Sequence, residues 1–255
     1  MQGSVQLRSD PATQYLLRIG DTCLILGQRL GEWCGHAPVI EEDIALTNMA
    51  LDLIGQARAV LTHAGKAQGF DEDQLAFLRD EPDYLNPTLV ELPRGDFAFT
   101  MLRNLMVATW LKLLWQRLAA SSDAELAAIA GKALKEARYH QQHAADWVVR
   151  LGDGTPESRR RSETALAQLW PYAAELFEAD AVDDAARASG LGPGAAELQE
   201  PWLAEMDQVL AEAALTAPKE SSFRSTGRRG IHSEHMGHLL AEMQHLQRAY
   251  PGGVW

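Results

Sequence analysis

Residues 135 to 140 read Lys-Glu-Ala-Arg-Tyr-His within a long helical pattern. This falls one residue short of Glu-x-x-His, the spacing with which the helices of a bundle ligate a pair of irons. Tyr139 holds the i+3 position after Glu136, and His140 comes at i+4. A di-iron site of that kind takes one Glu from each of two helices and Glu-x-x-His from each of two others. Hard oxygens hold and bridge the metals, and imidazoles complete the shells.

Checked helix by helix, the set does not assemble. The first helical stretch offers Asp21 near its start and Glu32 at its far end. The second has Asp52 as its interior acid, followed three residues later by Gly55 rather than His. The third, FAFTMLRNLMVATWLKLLWQRLAA, has no acid. In the fourth, Glu136 alone stands in pattern. We therefore expect no catalytic, cofactor-binding or metal residue, and keep Asp52, Glu136 and His140 as candidates for the remnant of a site. Asn48, Asp52 and Gln56 make a polar row at i, i+4, i+8, and Glu136 and His140 lie one turn apart in a core stripe. A buried polar group without a partner costs about 1–3 kcal/mol, so a mutual hydrogen-bonded network is the expected solution. An unconventional metal site and a general acid/base role are the alternatives.

Other motifs carry less. His232, His235 and His238 have the i, i+3 spacing that lets two imidazoles share a metal, but no Glu or Cys completes the set and the three drift around the helix. They read as mixed surface and core residues. GLGPG at 190–194 follows a helix rather than a strand, and Pro193 removes a donor, so it reads as a linker and not a phosphate loop. The Arg159–Arg161 run and Arg228–Arg229 read as solvated patches, with an acidic partner or a phosphate-bearing ligand as the alternative. Neither Ser-His-Asp order nor G-x-S-x-G is present.

The elements that must carry these residues are helical throughout. Asp10-Pro11 is an N-cap acid followed by Pro at the first helical position, opening a helix to about Trp33. Gly20 and Gly27 share its stripe with Leu16 and Cys23, which implies close approach of another helix. After the break at GHAP, Glu41–Asp43 load the positive end of a second helix that runs to about Gly65 and is apolar on most sides. Residues 66–95 form a long connection with at most a short helix near Asp71–Leu78. Asp96 caps a third helix to Ala119, and Ser122 or Asp123 opens a fourth that ends at Gly152. Two helices, a long crossover and two more helices is the connectivity of a ferritin-like four-helix bundle. Three further helices are expected: one from Thr155-Pro156 with a kink at Pro171, one over Glu197–Thr216, and one over Ile231–Arg248. The expectation is all-α, a single domain over 1–255, with a core bundle at about 10–152 and additional helices at about 155–250.

Composition sets outer limits. The chain is acidic, net −12 over 255 residues, so nucleic acid and anionic lipid are poor partners. Cys23 and Cys34 sit in apolar helical patterns, read as buried reduced thiols and make no disulfide framework. The start MQGSVQLRSD has no apolar core of a signal peptide, and no apolar run is expected to span a membrane, so a cytoplasmic protein is expected.

Several long stretches occur in an order that resembles a known family: LRIGDTCLILGQRLGEWCGHAP, ALDLIGQAR, FLRDE, KEARYHQQHAADWVVRLGDGT, LWPYAAELFEAD and HSEHMGHLLAEMQHLQR. From about Tyr15 to Trp255 the chain resembles the C subunit family of the bacterial ring-1,2-phenylacetyl-CoA epoxidase. That complex is a multicomponent oxygenase of phenylacetate breakdown. The resemblance implies a bundle that has lost its metal and pairs, as a structural partner, with a di-iron A subunit that epoxidises the aromatic ring. It also implies a small B subunit that helps assembly and a reductase that draws electrons from NADPH. In the catalytic relative, the second helix carries a Glu-Ala-Gly-His type motif. The matching stretch here is Leu53-Ile54-Gly55-Gln56, with Leu for Glu and Gln for His. The implied role is a non-catalytic subunit with no cofactor of its own, able to form a homodimer when isolated. The alternative is a metal-dependent oxygenase active in its own right at an atypical site.

Overall fold

The computed structural model describes residues 4, 5, 7, 10–219 and 221–253. Most of the N-terminal stretch on which the signal-peptide expectation rests, and Trp255, lie outside them. The fold is all-α, of the ferritin-like class. Among the described residues the only extended pairing is an isolated bridge between Thr226 and Ile231. The chain divides into two compact units. One comprises Met1–His36, Ile40–Pro93 and Thr226–Trp255; the other comprises Ala37–Val39 and Arg94–Ser225.

In the first unit, α1 (Pro11–Gly31) starts where Asp10 accepts a hydrogen bond from the Thr13 amide at 2.9 Å. Helix α2 (Ile40–Lys66) runs antiparallel to it. A Cβ placed on Gly20 would meet Leu61 at 2.8 Å, and one on Gly27 would meet Ile54 at 3.2 Å and the Ala50 carbonyl oxygen at 3.3 Å. The two glycines thus let α2 come close, as their spacing implies. Cys23 is buried on α1, whereas Cys34 is exposed, because the helix has already ended in a turn there. The long connection is more ordered than the sequence suggests. It holds α3 (Glu72–Phe77), closed by an Asp71/Gln74 capping box, a 3₁₀ turn at Glu81–Asp83, and the short α4 (Thr88–Glu91). The last helix, α10 (Glu234–Ala249), belongs to this unit.

In the second unit, α5 (Phe97–Leu118) is capped by Asp96 and α6 (Ala124–Gly152) by Asp123. The Phe97 ring at the start of α5 meets the Trp147 ring near the end of α6 at 5.0 Å, edge to face, so this pair is antiparallel too. Helix α5 is long and apolar enough, by length and composition, to cross a membrane, which corrects the sequence reading. Its most apolar stretch is 78% buried, as in the core helix of a folded domain.

Beyond α6 the sequence predicts one kinked helix where the structure has three segments: α7 (Pro156–Leu169), a 3₁₀ stretch Trp170–Phe177 and α8 (Ala181–Ser189). Pro171 lacks the amide that would continue α7, and Asp180 caps a fresh helix by accepting from the Val182 amide at 2.9 Å. GLGPG is a stop and linker: Gly190 ends α8 in the left-handed conformation, and its carbonyl accepts from the Ser122 amide at 2.9 Å. Helix α9 (Gln199–Glu212) docks on α5 through the Trp202 indole N–H, which donates to the Met106 carbonyl at 2.8 Å.

Because a backbone oxygen lines the Gly27 site, Gly27→Val is expected to cost about 1–3 kcal/mol by overpacking. Gly131→Ala, where nothing lies within 4 Å of the added carbon, should gain up to about 1 kcal/mol from helix propensity. Urea unfolding of both variants checks the pair.

Candidate functional site

The remnant-site candidates divide between the units. Asp52 is on α2, half-buried, while Glu136 and His140 are on α6. The buried stripe of α6 is Ala133, Ala137, His140 and Ala144. His140 therefore points inward, as expected. Glu136 is only half-buried, a correction to its assignment to the core stripe, and lies 3.8 Å from the Lys132 ammonium. Tyr139, at the position a ligand His would need, is exposed. The polar row of α2 is also corrected: Asn48 is exposed, Asp52 half-buried and Gln56 buried, because i, i+4, i+8 winds about 40° per step around a 3.6-residue helix. Gln56 Oε1 accepts from the Cys23 thiol at 3.6 Å. Within Leu53-Ile54-Gly55-Gln56, Leu53 and Gln56 are buried and Gly55 is exposed. The two inward positions carry a hydrocarbon and a neutral amide.

A di-iron centre does not fit these donors. On α1, the Asp21 carboxylate is fully buried and already neutralised by the fully buried Arg79, whose Nη1 donates to Asp21 Oδ2 at 3.0 Å while Nη2 donates to Oδ1. Glu32 is paired with Arg29. The buried polar side chains of α5 are Thr100, Arg103, Asn104 and Thr109, a cation and no carboxylate. Among the described residues, no group of three or more His, Cys, Asp or Glu is placed to hold a metal ion.

A dense polar constellation lies elsewhere, on the crossover, and sequence reasoning missed it. Asp21 Oδ2 also accepts from the Leu85 amide at 2.9 Å. Arg79 donates to the carbonyls of Leu75 (2.6 Å) and Asp83 (2.9 Å), and its guanidinium lies 4.3 Å from the centre of the Tyr84 ring. The Tyr84 hydroxyl donates to the Ala76 carbonyl and accepts from Gln244 Nε2 at 2.8 Å. Arg248 Nη2 donates to the Arg79 carbonyl at 2.8 Å and to Asp80 at 3.0 Å. The signal for this set is the charged FLRDE run straight after a short helix, but its partners are far away in sequence.

A second knot joins α4 to the entry of α10. Glu91, fully buried, accepts from Asn86 Nδ2 (3.1 Å), the Ser233 amide (2.6 Å) and His232 Nδ1 (2.7 Å). Its own carbonyl accepts from Arg29 Nε and Nη2 at 3.1 and 2.7 Å. His232 Nε2 faces the Tyr84 carbonyl at 2.9 Å. Both ring nitrogens therefore face acceptors, which suits the doubly protonated imidazolium. Burial alone would lower the His232 pKa. The Glu91 hydrogen bond and charge, with the Tyr84 carbonyl, outweigh it and hold the pKa above its ordinary value. His232 is thus spent on structure, His235 is half-buried and His238 is exposed, so the three do not converge.

The basic run on α7 is neutralised locally. Arg160 and Arg161 both donate to Glu157, whose carboxyl the two guanidinium hydrogen bonds pull down to about 2. Arg159 donates to Glu163 and to the Ala214 carbonyl. Arg228 is buried and Arg229 exposed, so the pair does not form a surface patch.

The fold defines an all-α chain of the ferritin-like class, and among the described residues no donor set for a metal ion is brought together. Comparison with known proteins agrees on the lineage. The family model described as phenylacetic acid catabolic protein matches residues 2–255, and the chain belongs to that family. It is 48% identical over 244 residues to the C subunit of 1,2-phenylacetyl-CoA epoxidase from Escherichia coli (strain K12), an alignment covering 95% of this chain and 98% of the relative. The chain is therefore a member of a family involved in phenylacetate catabolism, and a relative of a protein named as one component of an epoxidase.

Arg79→Met should destabilise the protein by about 3–5 kcal/mol, because it strands the buried Asp21 charge. Adding Asp21→Leu is expected to recover much of that loss in a double-mutant cycle read by chemical denaturation. The His232–Glu91 contribution is present in full below about pH 6.5, the unfolded value. It is lost as pH rises through the higher folded pKa, since over that window the folded state holds a proton the unfolded chain has released. Urea midpoints should fall from pH 6 to pH 9 in the wild type, with a shallower fall in His232→Asn.

Proposed function

We propose that this chain is a non-catalytic structural subunit of a ring-1,2-phenylacetyl-CoA epoxidase complex, paired with a di-iron catalytic subunit in aerobic phenylacetate catabolism. On this reading the di-iron centre and the chemistry belong to the A subunit. A small B subunit joins the assembly, the complex works in the cytoplasm, and this chain binds no cofactor. The name of the Escherichia coli relative supports the assignment to the complex.

The observation that carries the non-catalytic role is the polar content of α5. Over Phe97–Leu118 there is no carboxylate, and Arg103 is fully buried. A pair of irons needs anionic oxygen from every helix around it, and a buried guanidinium on one of them opposes further positive charge. The neutral Leu53 and Gln56 on α2 and the Arg79-bound Asp21 on α1 support the same conclusion.

Co-expressed with the A subunit, the chain is expected to co-purify with it and to raise the rate of phenylacetyl-CoA epoxidation above that of A alone. The chain by itself, incubated with ferrous iron in air and desalted, should retain far less than one iron per molecule. A stoichiometric pair of irons on the isolated chain, or epoxidation without A, would overturn the reading.

A further inference from the structure

A helix on the surface of a folded protein turns its polar residues outward. Helix α2 does not. Ile40, Ile44 and Leu51 are 68%, 56% and 61% exposed, and Ile54 joins them at the edge of the same arc. At 100° per residue, Ile40, Ile44, Leu51 and Gly55 fall within about 60° of one another. The stripe they form is about 22 Å long. Between Ile44 and Gly55 this arc carries no charged residue; its polar members are Thr47 and Asn48.

Gly55 adds a separate observation. Glycine weakens a helix interior relative to alanine, and such a position usually has a packing reason, as Gly27 does. Gly55 has none inside the chain: a Cβ built there meets nothing within 4 Å. It leaves a shallow dent in the outward stripe, where another backbone can approach.

We infer that the Ile40–Gly55 face of α2 is a protein interface, and that its occupant is an apolar helix ridge of a different subunit, flanked by basic residues. The inference rests on the structural-subunit reading above and specifies which surface does the pairing. Charge selects the occupant. The stripe is rimmed by Glu41 and Asp52 on one side and Asp43 on the other, and the nearest cation beyond Gly55, Arg58, is committed to Glu72 at 2.8 Å. With a net charge of −12, two copies of this chain repel each other at long range, whereas a subunit with Lys or Arg along its ridge is drawn in. Large aliphatic side chains along the centre and charge at the rim is the usual layout of a stable interface.

The test uses the full chain and the di-iron A subunit, mixed and followed by size-exclusion chromatography and titration calorimetry. Leu51→Glu and Gly55→Lys are the variants. Both positions face outward, so circular dichroism and thermal midpoint should be unchanged, or slightly raised for Gly55→Lys. Affinity for the A subunit is expected to fall at least 100-fold in each. Wild-type affinity in both variants would overturn the assigned surface and leave the subunit reading intact. Failure of the wild-type chain to bind the A subunit would overturn the subunit reading, and this inference with it. Loss of self-association with binding of A retained would make the occupant a second copy and overturn the occupant proposed here.

Discussion

The ion pair between Asp21 and Arg79 is the constraint on which the first unit depends. Both side chains are fully buried, and taking two charges out of water is costly unless every remaining donor and acceptor is satisfied. Here they are satisfied by the backbone of the crossover itself: the Leu75 and Asp83 carbonyls receive Arg79, and the Leu85 amide meets Asp21. The pair therefore fixes the path of the chain from α3 through the 3₁₀ turn, besides tying the crossover to α1. Tyr84 is placed by that path, and it in turn presents its hydroxyl to Gln244 and its carbonyl to His232 on the C-terminal segment. A connection that lacks long regular structure is thus held by buried hydrogen bonds from side chains to its backbone.

The same economy is consistent with the non-catalytic role proposed above. In a bundle with a di-iron centre, inward carboxylates are neutralised by metal. Removing the metal leaves each such position to be replaced by an apolar or neutral residue, or supplied with another counter-ion. Here the inward Leu53 and Gln56 are apolar and neutral, and the buried Asp21 carboxylate has Arg79 as its counter-ion. Arg103, buried on α5 beside Asn104, goes further and puts positive charge into a helix that has no acid.

Much of this is legible in the residues. The caps Asp10, Asp96 and Asp123 mark helix starts to within a residue, because an acid before an apolar periodic run has few other uses. The missing ligands can be counted from the same runs. The break at Phe177–Asp180 is harder to read, since Pro171 predicts a kink as readily as an end, and only the Asp180 cap shows that a new helix begins. Glu136 reads as part of the core stripe because it lies one turn before His140, yet it sits on the flank of that stripe. The two polar knots are invisible for a different reason. Asp21 with Arg79, and Glu91 with His232, are 58 and 141 residues apart, and no local periodicity encodes such a meeting.

The division of the chain has a consequence for its synthesis. The unit over 94–225 is contiguous but for three residues, and nearly everything it needs has emerged once that span is made. The other unit is built from both ends of the polypeptide, and its crossover knots close only on residues from His232 onward. On a translating ribosome the N-terminal hairpin therefore waits, with the Glu91 carboxylate and the Tyr84 hydroxyl short of partners, until His232 and Gln244 are delivered, long after α4 has been made.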